Sequence, residues 1–173
     1  MKKSKIIIGA IFMSVIILGL SVFMLVYKNA NNPLAELQYD KSAYKTLCKA
    51  DTFSYGGVGY AGSMSEETEA YAKLYKSKDA KKVFLCLEKD ANIQGKLYAL
   101  CAFYYLDNAY YHKQVQNYMK SDENVKLMAG CIGYGDSVSK VMKSSNAANS
   151  DDFYSGAIPE WLNSYITRES VSY

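Results

Sequence analysis

The sequence predicts a mainly α protein: an N-terminal transmembrane helix, then one irregular helical bundle of six or seven helices with at most a small β-hairpin element. Three observations carry this. Residues 6–27, IIIGAIFMSVIILGLSVFMLVY, contain no charged side chain. From residue 33 onward, apolar residues recur at helical spacing between capping signals. Two glycine-bearing stretches, 53–65 and 124–135, interrupt that periodicity. Half of the 173 residues are apolar and 21% are charged, which excludes a disordered chain. The length suits one domain.

As a helix, residues 6–27 would be roughly 33 Å long, enough for a hydrocarbon core of about 30 Å. Lys2, Lys3 and Lys5 precede this run. They account for three of the 20 basic residues and leave 17 against 17 acidic ones beyond it. The positive-inside rule therefore places residues 1–5 in the cytoplasm and residues 33–173 outside it, after a short linker at 28–32. A cleaved signal peptide fits less well. Its apolar region is shorter, and the best cleavage point, after Ala30, has Lys28 where a small residue belongs. The lipid bilayer is thus one expected partner, through residues 6–27. The charge balance of the rest gives no basis for nucleic-acid binding.

Asn32-Pro33 reads as a cap and first helical residue, with Leu34, Leu37, Tyr44, Leu47 and Cys48 on one face of a helix over 33–49. The 53–60 segment, aromatic and glycine-rich, suggests a short extended piece or hairpin. Ser63 or Ser65 then caps a helix near 65–77, buried through Ala70, Tyr71, Leu74 and Tyr75. Ser77 opens the next, with Ala80, Val83, Phe84 and Leu87 inward. After a break at 90–92, Ile93, Leu97, Leu100, Cys101 and Tyr104 define a helix apolar on all sides, the mark of a central one. Asp107 caps a helix facing inward through Tyr111, Val115, Tyr118 and Met119. Residues 125–128 and 131–134 read as short extended pieces able to pair with 53–60. Asp136 caps a short helix with Val138, Val141 and Met142. A polar loop over 144–152 leads to a helix begun by Pro159, with Trp161, Leu162, Tyr165 and Ile166 inward and a frayed tail.

Cys48, Cys86, Cys101 and Cys131 all fall on the exported side, where an oxidising compartment permits any of three pairings. No CxxC occurs, so neither a zinc ribbon nor a thioredoxin-type pair is supported. If one disulfide forms, Cys101 with Cys131 is favoured.

Gly57-x-Gly59-x-x-Gly62 matches a dinucleotide-binding fingerprint in letters only. No strong parallel-strand pattern precedes it and no βαβ unit follows. Gly56, Gly57, Gly59 and Gly62 are expected to build a structural turn. His112, the sole histidine, lies in a tyrosine-rich helix without a nucleophile motif, so no catalytic residue is assigned. Glu66-Glu67, Asp122-Glu123 and Asp151-Asp152 read as helix-start and loop charges. No metal site or cofactor is expected. Of 17 tyrosines, most supply core area with a polar tip, but Tyr55, Tyr60 and Tyr134 fall beside glycine turns and form a candidate binding surface.

The order GGVGYAGSMS (56–65), KLYALCAFYYLD (96–107) and VKLMAGCIG (125–133) resembles a loosely defined group of uncharacterised bacterial envelope proteins. They share a GGVGxAGxxS-like turn, an LYAL helix and a GC-containing segment. The resemblance implies that the glycine turn and Cys131 belong to the domain's architecture. It brings no activity with it. Together these features favour an envelope binding or scaffold protein with an unidentified protein partner. An inhibitor or immunity-type protein and a hydrolase acting on wall or glycan are the alternatives.

Overall fold

The computed structural model describes residues 16–23, 33–143 and 157–168. It is mainly helical with a small mixed sheet, and it divides into two units, Met1–Glu36 and Leu37–Tyr173. In the first, residues 16–23 are helical (α1), and Ile16, Ile17, Leu18, Leu20, Val22 and Phe23 are all exposed. Among the described residues, no helix is long and apolar enough to cross a membrane. The rest of the expected span, Ala30, the Asn32 cap, the 144–152 loop and the tail beyond 168 lie outside the described residues.

The second unit begins with α2 (Lys41–Cys48), later than the expected helix over 33–49. The cause is Asp40, whose carboxylate accepts from the Ser42 and Ala43 amides at 2.8 and 2.9 Å and fixes the start there. Strand β1 (Phe53–Val58) and α3 (Glu66–Tyr75) follow, with Ser65 as the helix cap accepting from the Thr68 amide. Ser63, the other candidate cap, instead bridges back to Val58. Next come α4 (Ala80–Asp90) and α5 (Ile93–Leu106). Asn92 joins them by accepting from the Gly95 amide while donating to the Ala50 carbonyl. Then α6 (Asn108–Tyr118), capped by Asp107, leads into β2 (Asn124–Gly130) and β3 (Ile132–Ser137). The described chain closes with α7 (Val138–Lys143) and α8 (Ala157–Arg168). Asp136 lies within β3 and does not cap α7; Ser137 ends the strand directly before the helix, and its hydroxyl accepts from the Lys140 amide at 3.4 Å.

Helix α5 is the centre, as its all-round apolar sequence requires. Leu97 to Phe103 are buried without a break. Its Tyr98 ring meets Phe53 of β1 at 4.8 Å and Tyr71 of α3 at 5.9 Å, and Tyr71 meets Phe84 of α4 at 5.6 Å. On the far side, Phe103 packs on Tyr110 of α6 at 4.7 Å. Aromatic rings thus tie four elements to one helix. At its start, Gly95 lies against α2: an added Cβ would stand 2.1 Å from the Leu47 carbonyl oxygen. Ile158, Leu162 and Ile166 of α8 are buried, whereas Trp161 and Tyr165 are half-buried, their tilted rings in contact at 4.3 Å.

The sheet order is β1-β2-β3. β1 pairs with β2 in parallel and β2 with β3 as an antiparallel hairpin. The expected pairing of 125–128 with the 53–60 segment is therefore made, whereas 131–134 pairs with β2 and not with β1. The outer edge of β1 is closed by one side chain. Tyr98 Oη accepts from the Ser54 amide at 2.9 Å and donates to the Ser54 carbonyl at 3.1 Å, so a buried strand edge is satisfied without another strand.

Candidate functional site

The glycine segment that ends β1 folds back on itself. Val58 and Ser63 exchange both backbone hydrogen bonds, at 2.7 and 3.0 Å, and the Gly62 amide donates to the Gly59 carbonyl. Two physical demands explain the glycines. Gly59 and Gly62 hold φ of 71° and 62°, the left-handed region. Gly57 faces the returning chain, where a Cβ would meet the Gly62 carbonyl oxygen at 2.4 Å. Gly56 lies on β1 itself. The turn is anchored to the hairpin, because the Gly59 amide donates to the Gly130 carbonyl at 3.1 Å. The β1 turn and the β2–β3 turn therefore meet at one end of the sheet.

That end carries the three singled-out tyrosines. Tyr60, at the tip of the glycine turn, is 104% exposed. Tyr134 of β3 is exposed, and its hydroxyl hydrogen-bonds that of Tyr55 on β1. The structure thus joins Tyr55 and Tyr134 directly and places Tyr60 on the adjoining turn. It adds Ile132, 68% exposed, which the sequence reading missed. Its signal was there: Ile132 and Tyr134 alternate with glycines, so both fall on one face of a strand. In register, Tyr134 faces Leu127 and Leu127 faces Phe53. Leu127 and Phe53 are buried, so this is the core-side face of the sheet, reaching past the helices that cover it.

Glycine spacing of the dinucleotide type gains one element that the sequence did not promise, a parallel strand pair joined through helices. The chemistry is still adverse to phosphate. The amides of Gly59, Gly62 and Ser63 are engaged by backbone carbonyls. Helix α3 opens with Glu66, Glu67 and Glu69, and Ser65 already fills its cap.

Other candidates disperse. Cys101 and Cys131 are both free: Cys101 is wholly buried in α5 and Cys131 is exposed at the hairpin turn, so the favoured pairing is not made. His112 is exposed and meets the Tyr111 ring edge-to-face at 5.3 Å. Glu66 accepts from Thr46 Oγ1 at 3.3 Å, and Asp151-Asp152 lie outside the described residues. A shallow cleft of about 180 Å³ between the start of α5 and the end of α6 is lined by Lys96, Tyr118 and Glu123 among others. It gathers one carboxylate and one ammonium. Among the described residues no three His, Cys, Asp or Glu side chains converge as a metal site would need.

Tyrosine hydroxyls elsewhere are held by carboxylates. Tyr44 donates to Asp90 at 2.9 Å and Tyr110 to Glu88 at 2.6 Å. Burial, with the bond to Glu88, pushes Tyr110 up to about 12. Burial raises Tyr98 to about 12 as well, opposed by its hydrogen bonds at Ser54. These groups are neutral donors over the physiological range and serve packing.

No protein-family model matches this chain, and neither a curated protein nor a solved structure does. The geometry at the glycine end of the sheet is therefore the basis for reading function.

Proposed function

We propose that this chain is a membrane-anchored, extracytoplasmic binding or scaffold protein of the bacterial envelope, and that it holds a protein partner at the glycine end of its sheet. Residues 6–27 are the anchor, with residues 1–5 in the cytoplasm. The lysines before the uncharged run support this orientation, and the exposed apolar side chains of α1 suit contact with lipid. The resemblance to envelope proteins is part of the same reading.

The observation that carries the binding role is the cluster of Tyr60, Ile132 and Tyr134, large side chains exposed together beside Tyr55. Tyrosine offers wide contact area at small entropic cost, and two anchored turns present it rigidly. The same exposed aromatic face also suits an inhibitor, which would differ only in the identity of its partner. A wall hydrolase has less support, since the cleft at Lys96 and Tyr118 brings in one carboxylate where paired-carboxylate chemistry needs two.

The test is affinity capture from envelope extracts with the full chain in detergent, beside a Tyr55→Ser, Tyr60→Ser, Tyr134→Ser variant. The expected result is a stoichiometric protein retained by the native chain and lost with the variant at near-native melting temperature. Equal retention by both would overturn the assignment of this face.

A further inference from the structure

We infer that β3 is an association edge, where a second copy of this chain adds its own β3 antiparallel and joins the two sheets into one. The direction of the backbone groups carries the inference. A Cβ on Gly133 would stand 3.9 Å from the Leu127 carbonyl oxygen, and one on Gly135 would stand 3.9 Å from that of Val125. Paired strands lie about 4.8 Å apart, so both carbonyls reach from β2 toward β3. On the other side of β2, the Gly130 carbonyl accepts from the Gly59 amide. In an antiparallel ladder, residues that stand opposite each other exchange both bonds or neither. Val125 stands opposite Asp136, Leu127 opposite Tyr134 and Ala129 opposite Ile132. Ile132, Tyr134 and Asp136 therefore turn their amides and carbonyls inward to β2. Gly133 and Gly135 turn theirs outward, where no group among the described residues meets them.

Among the described residues nothing demands these two glycines. Neither has the positive φ found at Gly59, Gly62 and Gly130, and an added Cβ would meet its nearest neighbour no closer than 3.7 Å. Glycine weakens a strand interior and marks places where another backbone comes close. The edge is also unguarded. Residues 130–135, GCIGYG, contain neither charge nor proline, the usual protections of an open edge, and Cys131 to Gly135 are all exposed. The opposite edge of the sheet differs, since Tyr98 closes it at Ser54.

A second β3 presents the matching backbone, and the side chains choose the register. With a two-fold axis at Gly133, Ile132 of each copy stands beside Tyr134 of the other. That is a β-branched residue against an aromatic one in a close, non-hydrogen-bonded pair. The two Gly133 residues exchange both backbone bonds on the axis. With the axis at Tyr134, Ile132 would instead face the Asp136 carboxylate. An isologous pair of this kind closes on itself and leaves no β3 edge open. The side chains of Ile132 and Tyr134 leave the sheet through its face, so pairing keeps them accessible and sets two clusters side by side. This deepens the reading of the glycine end as a protein-binding face, and what the doubled face meets rests on that reading. The pairing itself rests on the backbone.

The experiment measures the mass of the full chain in detergent by analytical ultracentrifugation, with two kinds of variant. Gly133→Pro removes an outward amide and leaves the ladder to β2 intact. Gly133→Cys and Gly135→Cys, each combined with Cys131→Ser, are oxidised with copper phenanthroline. The two Gly133 positions would stand about 5.5 Å apart across the axis, within disulfide reach, and the two Gly135 positions about 14 Å apart, beyond it. The expected result is a two-chain species for the native protein, a single chain with native helical circular dichroism for Gly133→Pro, and a linked dimer from position 133 but not from 135. The cysteine arm reads the edge even where the proline variant fails to fold. A native chain that is monomeric and unlinked at position 133, a dimer that survives Gly133→Pro, or equal linking at both positions would overturn the inference. So would position 133 linking only to a different protein in cells. A dimer in this register that retains no envelope protein upholds the pairing and contradicts the binding role; capture by a monomer does the reverse.

Discussion

Two buried tyrosines in contact, Tyr98 and Tyr71, show how one hydroxyl helps and another costs. The Tyr98 hydroxyl satisfies both backbone groups of Ser54 at the strand edge. Removing it leaves a donor and an acceptor buried and unpaired. Tyr98→Phe should therefore lower unfolding free energy by about 1–3 kcal/mol in a denaturant titration. The Tyr71 hydroxyl is buried with no hydrogen-bond partner and is pushed well above its ordinary pKa, by burial first. Tyr71→Phe keeps the ring contacts with Tyr98 and Phe84, so the same titration should find it neutral or stabilising by about 1 kcal/mol. The opposite signs separate a packing role, common to both rings, from the edge-closing role of Tyr98 alone. Sequence patterning marked Tyr71 as core. It gave no hint that Tyr98 would close a strand, because that bond spans residues far apart in the chain.

At the scale of elements, local chemistry was legible and long-range pairing was not. Asn92 and Asp107 cap α5 and α6 as their sequence contexts require, and α5 is central because LYALCAFYYL has no polar face. Where two capping signals competed, Ser65 and not Ser63 capped α3, and the start of α2 was set by Asp40, which the sequence reading had not singled out. The parallel pairing of β1 with β2 was only half visible. Extended pieces can be read at 53–60 and 125–128, but strand direction depends on the four helices between them. Of the candidate surface, Tyr55, Tyr60 and Tyr134 were found through their glycine neighbours, and Ile132 was overlooked because a lone isoleucine reads as core. Gly95 was overlooked too, since its reason is the carbonyl of Leu47 on another helix. Gly95→Ala should cost about 1–3 kcal/mol by forcing α5 from α2. Partner capture by the folded fraction should be unchanged, because the site is remote in the chain from both turns.

For the whole domain, a tyrosine-rich core has a consequence in alkali. Tyr98 and Tyr110 stand at about 12 when folded, and Tyr44 and Tyr118 are raised further, with burial the first cause in each. A phenol whose pKa is higher folded than unfolded stabilises fully below its unfolded value of about 10. That contribution is lost as pH rises toward the folded values. Melting temperature should therefore hold steady near neutrality and fall steeply from about pH 10 upward, with tyrosinate absorbance appearing in step with unfolding. On the acid side, Asp107 is held below the usual carboxylate range, first by its hydrogen bond from Lys81 at 2.8 Å and then by the Tyr110 amide. Its contribution is present above the unfolded carboxylate pKa and is lost as pH falls through the folded one. Asp107→Asn should flatten the acid limb of the same curve and leave the alkaline limb in place.

The account depends most on the claim that the glycine end of the sheet meets a partner in the envelope. The direct measurement replaces Tyr60 with a photo-crosslinking aromatic analogue in living cells, with the analogue at exposed Lys113 on α6 as control. The account predicts a discrete protein adduct in the membrane fraction from position 60 and none from position 113. Matching adducts from both positions, or none from position 60 while the chain is folded and membrane-bound, would contradict it.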